Sequence, residues 1–230
     1  EIYCKKLAAT AFKNKFEIVE LNDDGGTLGD FVLKIHPTWW IVFEVKGARQ
    51  SSPLRSSELL HDEDRNPLKV VFNSLTQVNN RIQDFRRKKI RNNKIRLTPV
   101  IITAGHFPIS HEIGQYLKSQ TEKLNIWTDT KIDFPQIVGI ETFEIITAIG
   151  LNGNSIAEFF RLKLEENWKC EAYEGFFHRK YFPYLGSEPA NNLLLSAYGQ
   201  MLNNLFQDGY KSNRELIKVE GDWLSAFGLK

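Results

Sequence analysis

Apolar positions along this chain change period three times within its first hundred or so residues, and each change marks a new element. In residues 1–15, EIYCKKLAATAFKNK, Ile2, Tyr3, Leu7 and Phe12 form a loose apolar face with lysines on the other side, which predicts a helix. FEIVEL (16–21) predicts a strand, and the NDDGGTLG that follows is a turn rich in Asn, Asp and Gly. DFVLKI (30–35) predicts a second strand, broken by His36-Pro37, and WWIVFEVK (39–46) a third. Strands joined by such short turns pair most economically as an antiparallel meander. Side chains alternate faces along a strand, so Trp40, Val42, Glu44 and Lys46 share one face of the third strand and Ile41, Phe43 and Val45 the other.

A polar stretch, 47–67, comes next, unusually long for a connection without periodicity and of the kind that is often functional or mobile. After Pro67 the spacing becomes three and four: Leu68, Val71, Phe72, Leu75, Val78, Ile82 and Phe85 form a core-facing stripe on a helix reaching about Lys89. LTPVIITAG (97–105) reads as a buried strand, which makes that helix a crossover between parallel strands. Residues 110–124 predict a helix capped by Ser110, residues 135–140 a short strand and 142–149 a short helix. GLNGN (150–154) is the best boundary, dividing a domain over 1–150 from a mostly helical C-terminal extension over 151–230, with helices at 155–168 and, behind Ser187, at 188–206. The expected fold class is α/β, a mixed sheet flanked by helices in the order αβββαβ.

Composition narrows this only a little. The 230 residues suffice for one medium domain plus an extension, and an apolar content of 42% excludes global disorder. No apolar run has membrane-spanning length and there is no signal-peptide pattern, so no membrane partner is expected. The chain opens on Glu rather than Met, which points to a fragment or trimmed chain. Cys4 and Cys170 are too few for a disulfide framework or a zinc cluster, and their scarcity fits a reducing, cytoplasmic setting. A net charge of +2 excludes nothing, because nucleic-acid binding depends on where the charge sits.

The chemistry concentrates between Gly29 and Gly47. An apolar strand that carries Glu44 and Lys46 side by side bears a desolvation penalty that Val or Ile would avoid. With Asp30 heading the neighbouring strand, an aspartate, a glutamate and a lysine converge at a strand end. These are the parts needed to hold a divalent cation and activate a water on a phosphodiester. The bland alternatives are an ion pair between Glu44 and Lys46 on a solvated edge, and a turn role for Asp30 after Leu28-Gly29.

Asp30 at a strand head and Glu44-Val45-Lys46 at the end of the next strand, followed by glycine, an amphipathic helix and an apolar strand, resemble the core of the PD-(D/E)XK nuclease superfamily. Restriction endonucleases and archaeal-type Holliday junction resolvases share that restriction-endonuclease-like core. The resemblance covers roughly residues 1–105. It implies that Asp30 matches the family aspartate and that Glu44 and Lys46 are its E-x-K pair, with Gly29 where many members have proline. It also implies a glutamate on the first helix, for which Glu1 is the candidate and Glu17 and Glu20 the alternatives, and a polar residue on the helix after the lysine, where Gln77 stands with Ser74 and Arg81. The resulting expectation is a Mg²⁺-dependent endonuclease, with Mn²⁺ able to substitute, acting on nucleic acid, DNA ahead of RNA. It could serve a phage-defence or restriction system, as a homodimer or within a larger assembly. Asp30, Glu44 and the Val45 carbonyl would hold the metal, Lys46 would orient or deprotonate the water, and Glu1 would complete the site.

Outside that constellation, RRKKIRNNKIR (86–96) holds seven Lys or Arg. They read equally as a solvated helix end complementing the helix dipole and as a phosphate contact by Arg86, Arg87, Lys88 and Lys89, joined by Gln77 and Arg81. His61-Asp62-Glu63-Asp64 reads as solvated loop, and His106 and His111 match no zinc spacing. Phe176, Phe177, Tyr181, Phe182 and Tyr184, interleaved with His178, Arg179 and Lys180, read as packing ahead of base stacking. Two competing functions stay open: a catalytically silent nucleic-acid-binding or assembly module, and a protein-interaction domain using the helical segment after residue 150.

Overall fold

The computed structural model describes residues 1–21, 26–47, 67–88, 90–104, 111–123, 131–151 and 155–181. Residues 48–66 of the polar stretch, with His61–Asp64 among them, Lys89, His106, the Ser110 cap, the centre of the 150–154 boundary, Phe182, Tyr184 and the helix expected at 188–206 all lie outside the described residues. In chain order the elements are α1 (Ile2–Phe12), β1 (Phe16–Glu17), β2 (Phe31–His36), β3 (Trp39–Lys46), α2 (Pro67–Lys88), β4 (Arg96–Thr103), α3 (His111–Lys123), β5 (Gln136–Gly139), α4 (Ile140–Leu151), α5 (Ile156–Lys163) and α6 (Tyr173–Phe176). The strands form one five-stranded sheet in sequence order, antiparallel from β1 to β3 and parallel from β3 to β5. The fold is therefore α/β with a mixed sheet, and α2 is the crossover that parallel pairing of β3 with β4 requires.

Each face of the sheet is covered by its own helices. Phe31, Leu33, Ile41, Phe43, Val100, Ile102 and Val138 pack with α1, α4 and α5 in one apolar cluster. Val32, Val42, Leu97, Ile101 and Ile137 pack with α2 and with Leu117 of α3 in the other. Period-two alternation along β3 is thus realised: Trp40 and Val42 turn toward α2, while Ile41, Phe43 and Val45 turn toward α1. The α2 stripe holds as well, with Val71, Leu75, Val78, Ile82 and Phe85 buried and Phe72 half-buried.

Three expectations change. FEIVEL does not run on as one strand: only Phe16–Glu17 pairs with β2, after which Leu28 N–H donates to Val19 O at 2.9 Å and Leu21 N–H to Gly26 O at 2.6 Å. The chain folds back on itself there and satisfies its backbone locally instead of extending the sheet. On α1 the buried face is Cys4, Leu7, Ala8 and Phe12, whereas Ile2 and Tyr3 are exposed, because the small residues let α1 lie close to α4. Asp30 sits one residue before β2, and His36 belongs to the strand it was expected to break.

The described part of the segment after residue 150 packs into the α1-side cluster. Ser155 caps α5, its side chain accepting from Glu158 N–H, but the helix expected over 155–168 ends at Lys163, after which the chain runs on in turns. Phe159 sits at the centre of rings from Phe160, Tyr173, Phe176, Phe177 and Tyr181, with centroids 5.0–6.3 Å away. Phe176, Phe177 and Tyr181 are buried, so these three pack rather than present a stacking surface.

Candidate active site

Two backbone-directed bonds fix Asp30. Its N–H donates to Phe43 O at 2.8 Å, and its Oδ2 accepts from Val45 N–H at 2.7 Å. Backbone groups along a strand point to alternate edges, two residues apart to the same edge. The Val45 carbonyl therefore faces the edge that holds Asp30, while the Lys46 carbonyl faces β4 and accepts from Ala104 N–H at 3.0 Å. Gly29 allows this approach: a Cβ there would lie 2.7 Å from Phe43 O and 2.8 Å from Val42 Cγ1. A side chain at position 29 would therefore push Asp30 off β3.

Glu44 and Lys46 project from the end of β3 toward α2. The Glu44 side chain is 2% exposed. Lys46 Nζ donates to its Oε1 at 2.7 Å, and Arg81 Nη1 donates to its Oε2. Lys46 Nζ also donates to Gln77 Oε1 at 2.8 Å. The match of strand to helix follows from their repeats: two residues of β3 advance about 6.6 Å and four residues of α2 about 6.0 Å, so Lys46 meets Gln77 where Glu44 meets Arg81. Taking a carboxylate out of water costs several kcal/mol, and the two cations offset it.

The structure thus brings Asp30, Glu44, Lys46, Gln77 and Arg81 to one sheet end. Glu1 makes no hydrogen bond to any of the five. It holds the N-cap position of α1 without a side-chain capping bond, and its Oε1 accepts from Lys5 Nζ at 2.5 Å. That bond, then the charge of Lys5, holds its carboxyl below the usual range, with a smaller contribution from Lys46. Three residues that the sequence did not flag lie beside it. Burial pushes the Cys4 thiol up to about 11, with Glu144 and Asp30 adding smaller upward contributions. Burial also raises Glu144, against a 2.5 Å hydrogen bond from Tyr3 Oη.

Among the described residues no three His, Cys, Asp or Glu side chains converge as a ready-made cation cage. The oxygens on offer are the Asp30 and Glu44 carboxylates and the Val45 carbonyl. This small hard-oxygen set suits Mg²⁺, which keeps several waters, better than a cation needing a full protein cage.

The basic run divides. Arg86 is buried and its Nη1 donates to Asn92 O, while Asn92 Nδ2 donates to Phe85 O at 2.7 Å. This corrects its assignment as a phosphate contact: Arg86 braces the end of α2. Arg87 is exposed beside Asp84, and Lys88 is exposed. Arg91 and Lys94, which did not stand out from the rest of the run in the sequence, join Lys88 on one side of a cleft of about 610 Å³ lined by Trp40, Phe85 and Ile95, while Glu17, Glu20 and Lys34, which is ion-paired with Glu17, line the other. The cleft lies at the opposite end of β3 from Glu44.

No described helix is long and apolar enough to cross a membrane. No protein-family model, curated protein or solved structure matches this chain.

Proposed function

We propose that this chain is a metal-dependent nuclease of the PD-(D/E)XK kind, hydrolysing phosphodiester bonds in nucleic acid, with DNA the first substrate to test. The observation that carries this reading is Asp30 clamped beside Val45 while Glu44 and Lys46 occupy the adjoining end of β3. The element order α1-β1-β2-β3-α2-β4 supports it. Asp30, Glu44 and the Val45 carbonyl would hold Mg²⁺, or Mn²⁺ in its place. The ion would supply Lewis-acid polarisation of the phosphate and a lowered pKa for a bound water.

The protein's own residues do the remaining work. Asp30 is held rigid by two bonds to β3, so its free energy of ordering is met on folding and not at the reaction. Lys46, anchored between Glu44 and Gln77, directs an N–H toward the attacking water or the phosphate oxygens and offsets charge as the P–O bond to the leaving oxygen breaks. Lys88, Arg91 and Lys94 beside the Trp40 cleft offer sequence-independent contacts to phosphates away from the cut, whereas Lys34 is committed to Glu17.

A cleavage assay on plasmid, linear duplex, single-stranded DNA and RNA tests this, run with Mg²⁺, Mn²⁺ or EDTA beside Lys46→Ala. Cutting that needs metal and is lost in the variant is the expected result. A folded wild type that binds DNA without cutting under any of these conditions would instead support a silent binding module. That second reading draws on the cations already seated on both oxygens of Glu44.

A further inference from the structure

The same pairing that stabilises Glu44 obstructs it as a metal ligand. Its side chain is 2% exposed, with Lys46 on Oε1 and Arg81 on Oε2. A dication binding an oxygen of Glu44 directly would meet two positive charges already in place. One of them has to give way.

The structure distinguishes the two. Lys46 is held twice, by Glu44 at 2.7 Å and by Gln77 at 2.8 Å, and is tethered two residues along the same strand. Arg81 is held by Glu44 alone among the described residues. Its side chain is 27% exposed, so it has an open side toward water. A guanidinium remains charged at any working pH, is weakly hydrated, and presents a fork of donors that fits a phosphate as well as a carboxylate.

We propose that Arg81 is the resident counter-ion of Glu44, displaced when a divalent cation loads, and that the freed guanidinium then holds the substrate phosphate. Metal loading and substrate capture are thereby coupled through one side chain. The proposal rests on the nuclease reading for the identity of the ligands. Competition for Glu44 is measurable without any cleavage.

The test is calorimetric titration of Mn²⁺ into the whole chain as wild type, Arg81→Met, Arg81→Gln, Arg81→Lys and Asp30→Asn, each checked for folding by circular dichroism. Met and Gln remove the competing charge by different routes, so one misfolded variant does not decide the matter. Both are expected to bind Mn²⁺ roughly tenfold tighter than wild type. Lys at this position should stay near wild type, and Asp30→Asn should lose the heat. At saturating Mn²⁺, Arg81→Met should cleave more slowly by about 10- to 100-fold, because the phosphate has lost its clamp. Tighter metal with slower cutting is a pair of opposite signs that a merely structural arginine would not produce. Equal or weaker Mn²⁺ binding in both charge-removing variants overturns the counter-ion role and leaves the nuclease reading standing. Tighter binding with undiminished cleavage overturns the phosphate role. No Mn²⁺ binding by any folded protein in the series overturns the nuclease reading, and this proposal with it.

Discussion

Lys163, on the last turn of α5, has its ammonium where an apolar side chain would be expected. The residue is 1% exposed, and Nζ donates to the carbonyls of Trp168 at 2.6 Å and Glu171 at 2.9 Å, 4.7 Å above the ring of Tyr173. Burial pulls its pKa from 10.5 down to about 7, against weaker upward pulls from Cys170 and Glu171. Between those two values the unfolded chain carries the proton and the folded chain does not, so stability rises with pH across that window. The destabilisation is full below about pH 7 and gone above 10.5, with a ceiling of about 5 kcal/mol. Of this, about 2.5 kcal/mol falls between roughly pH 6.5 and 9. Lys163→Met removes the titration and also strips two carbonyls of their donor, at about 1–3 kcal/mol each. The second effect does not depend on pH, so it offsets the curve without tilting it. Guanidinium denaturation of both proteins across that range should show wild type gaining about 2.5 kcal/mol on the variant as pH rises. Titration of Cys170, whose thiol burial pushes up, is common to both proteins and largely cancels. A difference that stays constant from about pH 6.5 to 9 would refute the argument, since Lys163 would then keep its proton in the folded chain.

Gly29→Ala should cost about 1–3 kcal/mol through the clash with the Phe43 carbonyl and, on the proposed nuclease reading, lower cleavage by roughly 100-fold although no reacting group is removed. Cleavage at the wild-type rate would show that the clamp on Asp30 is not needed. Reversing Lys88, Arg91 and Lys94 to Glu should weaken duplex binding and flatten its salt dependence by about 0.9 for each phosphate left without its cation, as fluorescence anisotropy over a salt series reads. An unchanged slope would rule these three cations out as phosphate contacts. Arg86→Met should lower stability in denaturant by about 1–3 kcal/mol and leave that salt slope unaltered, because its guanidinium is committed to Asn92.

The parts of this fold that were legible in the sequence are those where one periodicity runs uninterrupted. WWIVFEVK occupies β3 with the bounds its pattern predicts, and α2 keeps its stripe, because each segment packs against a single continuous surface. FEIVEL failed at Ile18, where the chain leaves β2 to pair with Gly26–Leu28, a choice made by a partner segment and not by the strand itself. Cys4 and Ala8 were invisible as core because their merit is small size against α4, which hydrophobic ranking does not measure. In the site, Asp30, Glu44 and Lys46 stood out as charges in apolar surroundings. Arg81 on Glu44 did not, since the two are 37 residues apart and only the packing of α2 on β3 joins them. Arg86 and Arg87 are adjacent in one basic run, yet one points inward and the other outward. Lys163 carried no signal in the sequence, because the carbonyls of Trp168 and Glu171 that hold its ammonium come from the turns after α5.

Whether the charges at the end of β3 serve folding or chemistry can be decided by removing all of them together. A buried ion pair often adds little or nothing to stability compared with apolar residues of similar volume, and apolar replacement of a whole set can stabilise a protein by about 1–4 kcal/mol. Glu44 is 2% exposed, whereas Lys46 and Arg81 are 26% and 27% exposed, so the desolvation burden falls mainly on the carboxylate. Val42, one step back on the same face, already packs against α2 in the apolar cluster, so Leu at position 44 extends that surface. Glu44→Leu combined with Lys46→Met and Arg81→Met should therefore be at least as stable as wild type and up to about 4 kcal/mol more so, while cutting nothing. Denaturant midpoints of the two proteins, read beside the cleavage assay, give both quantities. A triple variant destabilised by more than about 3 kcal/mol would mean that the three charges are held for the fold, and the case for chemistry at this strand end would lose its main physical support.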